Sequence, residues 1–186
     1  MNCEIKTITI NLKLVALDLF IVLAASAGVF AQSAGPRMPY IDKGACPFEC
    51  CTYREWTVDK STIVRSAMRD SSSIAFRLKK GEHVRGVTGV VITSVPGKVR
   101  VLKQTKIGGS TAHSGDTIYL LTYVGEGFYR VWYKGRIAEE ETHDTDIFRQ
   151  VRTPKSVWWV KIRNARGQIG WSREPDNFGN QDQCGN

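Results

Sequence analysis

Four of the five cysteines in this chain, Cys46, Cys50, Cys51 and Cys184, lie beyond the N-terminal segment that contains Cys3. In an oxidising compartment their even number predicts two disulfides. Adjacent cysteines rarely bond to each other because disulfide geometry needs suitably spaced Cα atoms and converging Cβ vectors, which disfavours a Cys50–Cys51 bond. Two pairings stay open. In the first, Cys184 bonds Cys50 and Cys46 bonds Cys51, and in the second, Cys184 bonds Cys51 and Cys46 bonds Cys50. Either one staples the C-terminal residues to the N-terminal segment.

Metal binding is the rival use of these side chains. A four-cysteine zinc site usually pairs its ligands over two short spacings, whereas Cys184 stands alone. His143 has Glu141 and Asp144 beside it, but this stretch is typical of an acidic loop. The segment 176–182 has oxygen ligands without the spacing of a calcium loop. We therefore expect no metal site.

A nucleophile with its base would make the chain an enzyme. The run His113-Ser114-Gly115-Asp116 holds the residue types of a catalytic triad. Neighbours in sequence cannot easily point at one another within hydrogen-bond reach, so this run predicts a turn. No phosphate-binding loop of the GxxxxGK[ST] type is present either. We expect no catalytic residue and no cofactor.

The N-terminal 31 residues predict export. Leu14 to Phe30 is apolar except for Asp18 and Ser26, and small residues precede Gln32 at the positions that a secretory peptidase needs. The alternative is a membrane anchor. A membrane-spanning helix needs about 20 consecutive apolar residues, and Asp18 interrupts this stretch. We expect a signal peptide at 1–31, removal of Cys3 with it, no transmembrane anchor after cleavage, and a secreted or periplasmic protein.

The positive charge of the chain is unevenly distributed. Residues 32–110 hold 14 Lys or Arg against 6 Asp or Glu, whereas residues 111–186 hold 10 of each. The excess predicts an anionic partner, which for an exported protein is an envelope polymer or an acidic protein sooner than nucleic acid. A solvated face that keeps the protein soluble is the alternative.

Glycine-marked turns divide the body of the chain into short apolar runs. We predict strands at 74–78, 83–93 and 99–102, followed by hairpins at 117–133 and 157–171. No window shows a sustained helical period, so the predicted fold class is all-β. A small barrel, or a pair of them, is the simplest arrangement.

Two motifs resemble bacterial SH3-like domains. Trp159-Val160-Lys161-Ile162 followed by Gly167-Gln168-Ile169-Gly170-Trp171 is similar to the W-x-K-V and G-x-x-G-W ending of that family. Leu78-Lys79-Lys80-Gly81-Glu82-His83-Val84 resembles its earlier L-x-x-G-x-x-V turn. The resemblance implies one or two SH3-like barrels, and in that family aromatic-lined grooves are associated with peptidoglycan peptides and other envelope ligands.

The resemblance also implies a division of the mature chain. The expected segments are a Cys-rich N-terminal cap, a first SH3-like unit, a second unit and a C-terminal tail, at 32–56, 57–110, 111–175 and 176–186 respectively. The second unit carries an acidic insert at 137–156. Because the insert separates the two hairpins, interleaved or merged barrels stay open.

The aromatic side chains outnumber what two small cores require. Alternation in 128–133 places Tyr129, Val131 and Tyr133 on one face, and at least one face must be exposed. Trp158 and Trp159 likewise point to opposite sides. We expect a ligand-binding surface formed by Tyr129, Arg130, Tyr133 and Trp158, with an interface between two barrels as the alternative.

The sequence therefore predicts an exported, non-catalytic binding module for a cell-wall or envelope ligand, such as a peptidoglycan peptide or an anionic polymer. The alternative is a periplasmic structural or protein-interaction domain without a polymer ligand.

Overall fold

The described residues, 35–184, are built almost entirely from β-strands in this computed structural model. The predicted signal peptide at 1–31 lies outside them. The strands are β1 (Tyr40–Lys43), β2 (Glu55–Val58), β3 (Thr62–Arg65), β4 (Ile74–Leu78), β5 (His83–Val95), β6 (Gly97–Val101), β7 (Thr105–Ile107), β8 (Ser110–Ala112), β9 (Thr117–Gly125), β10 (Phe128–Tyr133), β11 (Arg136–Glu141), β12 (Phe148–Arg152), β13 (Lys155–Asn164), β14 (Ile169–Ser172) and β15 (Phe178–Gly179). The prediction of an all-β fold is confirmed.

The strands form two main sheets and a short ribbon. The large sheet has eight strands in the order β15-β2-β5-β13-β14-β3-β4, with β1 paired to β5. The small sheet has five strands in the order β11-β10-β9-β6-β12, and β7 and β8 form the ribbon. One sheet of the fold curls into a half-barrel. Among residues 35–184, no helix has the length and apolar character needed to cross a membrane.

Strand pairing does not follow the sequence-based division at residue 110. The small sheet takes its strands from 97–152, so it begins inside the first predicted unit. The chain then returns to the large sheet, where β13 pairs with β5 over most of its length. The physical reason is that antiparallel pairing can join strands far apart in sequence, which local turn signals do not reveal. The small sheet is therefore an insertion into the large one.

Each sheet has its own hydrophobic core. The first core lies on the large sheet and contains Trp56, Val58, Val64, Phe76, Leu78, Val84, Val160, Ile162 and Phe178. The second lies on the small sheet and contains Val99, Val101, Ile107, Ala112, Ile118, Leu120, Val131, Tyr133 and Phe148. Trp56 is fully buried, so the end of the predicted N-terminal cap is part of the first core.

The acidic insert at 137–156 is not a loop. Most of its acidic run lies in β11, which pairs with β10 through the full length of both strands. Phe148 anchors β12 because its side chain is buried in the second core. Both are edge strands, where backbone pairing on one side is compatible with charged side chains. This explains why the sequence shows no apolar alternation there.

Two disulfides close the described chain. Cys46 bonds Cys51, and Cys50 bonds Cys184, with Cα atoms 5.5 and 5.6 Å apart. The prediction that Cys184 joins Cys50 or Cys51 is confirmed, and the structure selects Cys50. Arg54 reinforces this closure because its guanidinium donates hydrogen bonds to the Asn180 side chain and backbone.

The two disulfides are expected to contribute unequally to stability. The Cys50–Cys184 bond spans 134 residues and the Cys46–Cys51 bond spans 5. In the chain-entropy model these loops correspond to about 5 and about 2 kcal/mol. Thermal unfolding of Cys50→Ser/Cys184→Ser should therefore show a clearly lower midpoint than that of Cys46→Ser/Cys51→Ser. Equal midpoints, or the reverse order, would contradict the entropic account.

Candidate functional site: the outer face of the small sheet

The two faces of β10 have different environments. Val131 and Tyr133 point into the second core, and Tyr129 packs against it, whereas Trp132 lies on the opposite, outer face. The less buried face of this hairpin is therefore the one that carries Arg130 and Trp132, and both side chains are half-buried. Of the four predicted ligand contacts, only Arg130 lies on it.

Tyr133 is a core residue. Its side chain is 4% exposed, and its hydroxyl donates a hydrogen bond to the Asp116 carboxylate and lies 3.2 Å from the Thr111 carbonyl oxygen. Burial and the hydrogen bond to Asp116 raise the pKa of Tyr133. The Tyr133 hydrogen bond and the His113 backbone N–H together lower the pKa of Asp116. Asp116 is thus a turn-fixing carboxylate, and the predicted turn in the His113 to Asp116 run is confirmed.

Tyr129 and Trp158 are half-buried and make internal contacts. Tyr129 packs edge-on against Tyr123 with ring centroids 5.1 Å apart, and burial raises its pKa. Trp158 packs against the first core and meets Phe48 edge-on at 6.0 Å. Burial also raises the pKa of its neighbour Tyr53 to about 12. Trp158 therefore holds the Cys-rich segment against the large sheet.

Arg130 ties the two sheets together. Its Nη1 lies 2.6 Å from Oδ1 of Asp42 on β1, and the two side chains are 40% and 2% exposed. The other carboxylate oxygen of Asp42 is buried and has no hydrogen-bond partner among the described residues. A second hydrogen bond also joins the two sheets, because the Thr93 hydroxyl on β5 donates to the Leu121 carbonyl on β9 at 2.6 Å. Arg130 thus neutralises a buried carboxylate at the junction.

A continuous row of side chains crosses the outer face of the small sheet. The strand registers place opposite one another, from β12 to β11, Arg152, Lys98, Tyr119, Trp132 and Ile137. Tyr119 and Trp132 meet edge-on with ring centroids 5.5 Å apart, and Lys98 Nζ lies 5.4 Å from the centre of the Tyr119 ring. We name this row the aromatic–cationic row. It combines aromatic and cationic groups, which are the types that dominate recognition surfaces.

Positive charge is concentrated at the β12 end of this face. Arg149 lies directly opposite Arg100, and Arg152 directly opposite Lys98. Like charges in opposite positions of an antiparallel pair destabilise the sheet. Within residues 35–184, none of these four cations takes part in a salt bridge. The guanidinium groups of Arg152 and Arg100 instead donate to the carbonyls of Pro96 and Gly115.

The opposite end of the same face is acidic. Glu139 and Glu141 lie on β11 opposite Arg130 and Phe128. A shallow depression of about 260 Å³ beside them is lined by Glu49, Val124, Gly125, Glu126, Phe128 and Glu139. The outer face is therefore electrically polarised across its width. This polarity fixes the direction in which a charged chain would lie on it.

Only part of this face could be predicted from the sequence. Alternation in 128–133 already separates Trp132 from the core-facing residues. The partners Lys98 and Arg152 come from strands that are distant along the chain, and their pairing depends on the non-local order of the sheet. Sequence reasoning therefore missed both cations.

The arrangement is suited to binding. In the described part of the chain, three potential metal-ligand atoms converge only at Glu49, Cys50 and Cys184, where the disulfide occupies both sulfurs.

No protein-family model matches this sequence, and no curated protein or solved structure is significantly similar to it. The candidate site is accordingly defined by its own geometry and charge.

The Arg130–Asp42 pair yields a stability test. Arg130→Ala leaves the Asp42 carboxylate buried without its counter-ion, which costs several kcal/mol for a fully buried pair and about 2 kcal/mol here because Arg130 is 40% exposed. Arg136→Ala, at an exposed position on β11, should change the free energy of unfolding by less than about 0.5 kcal/mol. Urea unfolding measures both. Equal stability of the two variants would show that Arg130 is free to serve a ligand instead.

Proposed function

We propose that the protein is an exported, non-catalytic binding module for an anionic polymer of the cell envelope, and that the outer face of the small sheet is its binding site. The observation that carries the proposal is that cations occupy directly opposite strand positions, Arg149 with Arg100 and Arg152 with Lys98. An anionic chain laid across them would replace mutual repulsion by attraction. The proposed export follows from the signal-peptide pattern at 1–31.

The aromatic half of the row favours a polymer with apolar surface between its charges. Trp132 and Tyr119 are half-buried and pack edge-on against each other, and Gly35 lies against the Tyr119 ring, so both rings are held before any ligand arrives. Fixed aromatic groups lose little conformational entropy on binding and contribute large contact areas. Sugar rings of an acidic glycan offer both an apolar face and an acidic group. A polymer of this chemistry fits the face better than a bare polyanion does.

We also propose that the large sheet is SH3-like. The β13–β14 hairpin places Lys161 opposite Trp171, with Lys161 Nζ 5.5 Å from the centre of a Trp171 ring. A Cβ atom at Gly170 would lie 2.6 Å from Cγ1 of Val64, so the second glycine of the G-x-x-G-W motif permits close strand approach. Gly170 and Trp171 of the motif therefore each have a structural role in this hairpin.

The second candidate function is a structural or protein-interaction domain. The edges of the small sheet favour it, because within residues 35–184 β11 and β12 each pair with one neighbour. Open edges can accept a strand from another protein. The acidic side chains of β11 and the basic side chains of β12 would then select partners of opposite charge.

Co-sedimentation with purified cell-wall sacculi tests the proposed function. We expect the protein to bind sacculi that retain their anionic polymers and to bind stripped sacculi far less, with binding that weakens as salt is added. Arg149→Gln should weaken binding about fivefold, equivalent to about 1 kcal/mol. The same change should leave the free energy of unfolding unchanged or raise it by about 0.5 kcal/mol, because it removes repulsion with Arg100.

Arg69→Gln is the matched control, since it removes the same charge from an exposed turn of the large sheet that belongs to neither proposed site. It should leave sacculus binding within about twofold. Equal losses for both variants would indicate attraction by net charge alone. Undiminished binding to stripped sacculi would favour peptidoglycan as the ligand, and no binding to either kind of sacculus would favour the protein-interaction alternative.

A further inference from the structure

A second basic region lies on the large sheet, away from the aromatic–cationic row. The turn between β4 and β5 and the turn between β13 and β14 form the walls of a cleft of about 680 Å³. Its lining includes Arg77, Lys79, Glu82, His83, Asn164 and Arg166. We name it the basic cleft. Its size is within the range of small-molecule sites.

The charges in the basic cleft are predominantly positive. Arg77, Lys79 and Arg166 are exposed, and none of them forms a salt bridge within the described residues. The one carboxylate in the lining, Glu82, accepts a hydrogen bond from the Lys79 backbone N–H. His83 Nδ1 lies 3.3 Å from a Glu55 carboxylate oxygen outside the cleft. Three cations from two separate elements thus face one space.

Hydrogen bonds within the turns hold the walls in place. The Asn164 side-chain oxygen accepts from the backbone N–H groups of Arg166 and Gln168, and its amide donates to the Gln168 side chain. In the other wall, the Gly81 N–H donates to the Val58 carbonyl. These contacts form without a ligand, so little ordering is required on binding.

Two further arginines lie on the strands that lead into the walls of the cleft. Arg85 and Arg163 lie directly opposite each other on β5 and β13, one register position from Asn164. Arg77 and Lys79 also line a smaller cleft of about 440 Å³, so the two depressions share a basic wall. Guanidinium groups bind phosphate oxygens through paired hydrogen bonds, and a tetrahedral oxyanion can accept from several directions at once.

We infer that the basic cleft is a second binding site, and that it binds the oxygens of a phosphate group. The phosphate would lie between Arg77 on one wall and Arg166 on the other, with Lys79 as a third cation. This site is separate from the proposed polymer site because its residues belong to the other sheet. The same chemistry could be presented by a small phosphate ester or by phosphate groups of a polymer.

Isothermal titration calorimetry with inorganic pyrophosphate tests this site. The wild-type protein should bind the probe, and Arg77→Gln/Arg166→Gln should bind it at least about tenfold more weakly, equivalent to about 1.4 kcal/mol. Arg100→Gln/Arg149→Gln removes the same charge from the small sheet and should leave pyrophosphate affinity within about twofold. That control variant should lose sacculus binding, so failure of one site is distinguishable from failure of the other.

Poly(glycerol phosphate) and citrate complete the experiment. Binding of pyrophosphate alone supports a small phosphate ester, whereas binding of both phosphate probes with the same dependence on Arg77 and Arg166 supports a polymer source. The inference is overturned if pyrophosphate does not bind, if citrate binds equally well, or if both double variants lose pyrophosphate affinity to the same extent.

Discussion

The antiparallel pairing of β5 with β13 is the constraint on which the rest of the structure depends. The two strands are paired from Val95 with Lys155 at one end to Val84 with Asn164 at the other. The chain leaves the large sheet after Val95 and returns at Lys155, so the whole small sheet is held by two neighbouring crossing points. Gly97 shows how close these are, since a Cβ atom there would lie 2.8 Å from Cδ of Pro154. The small sheet is therefore an insertion that leaves and rejoins the large sheet at two neighbouring points of the chain.

Few polar contacts complete this attachment. The Asp42–Arg130 pair and the Thr93 hydrogen bond cross between the sheets, and Trp158 and Phe48 pack the disulfide-bonded segment onto the large sheet. A buried ion pair is weak evidence for added stability, because desolvation opposes the Coulomb attraction. Its stronger effect is on geometry, since a buried Asp42 carboxylate fixes where Arg130 must lie. The guanidinium group of Arg130 is therefore held at the junction and does not move freely over the outer face of the small sheet.

Local features of the fold could be predicted from the sequence and non-local ones could not. The strands Ile74–Leu78 and Phe128–Tyr133 match their predicted bounds because glycine turns and apolar runs are local signals. The choice of Tyr133 as an exposed anchor was wrong, because alternation shows which residues share a face without showing which face is buried. Lys98 could not be chosen at all, since its neighbours Tyr119 and Arg152 reach it only through the order of the sheet. The SH3-like resemblance, the signal peptide and the envelope ligand stay predictions.

Nuclear magnetic resonance of the tryptophan indole groups tests the central claim most directly. The five tryptophans are spread over both sheets, and Trp132 alone among them lies in the aromatic–cationic row. Titration with polygalacturonate, a soluble acidic glycan, should shift the indole signal of Trp132 and leave that of the fully buried Trp56 in place. A titration that shifts the signal of Trp171 or Trp158 while Trp132 stays unchanged would contradict the proposed site.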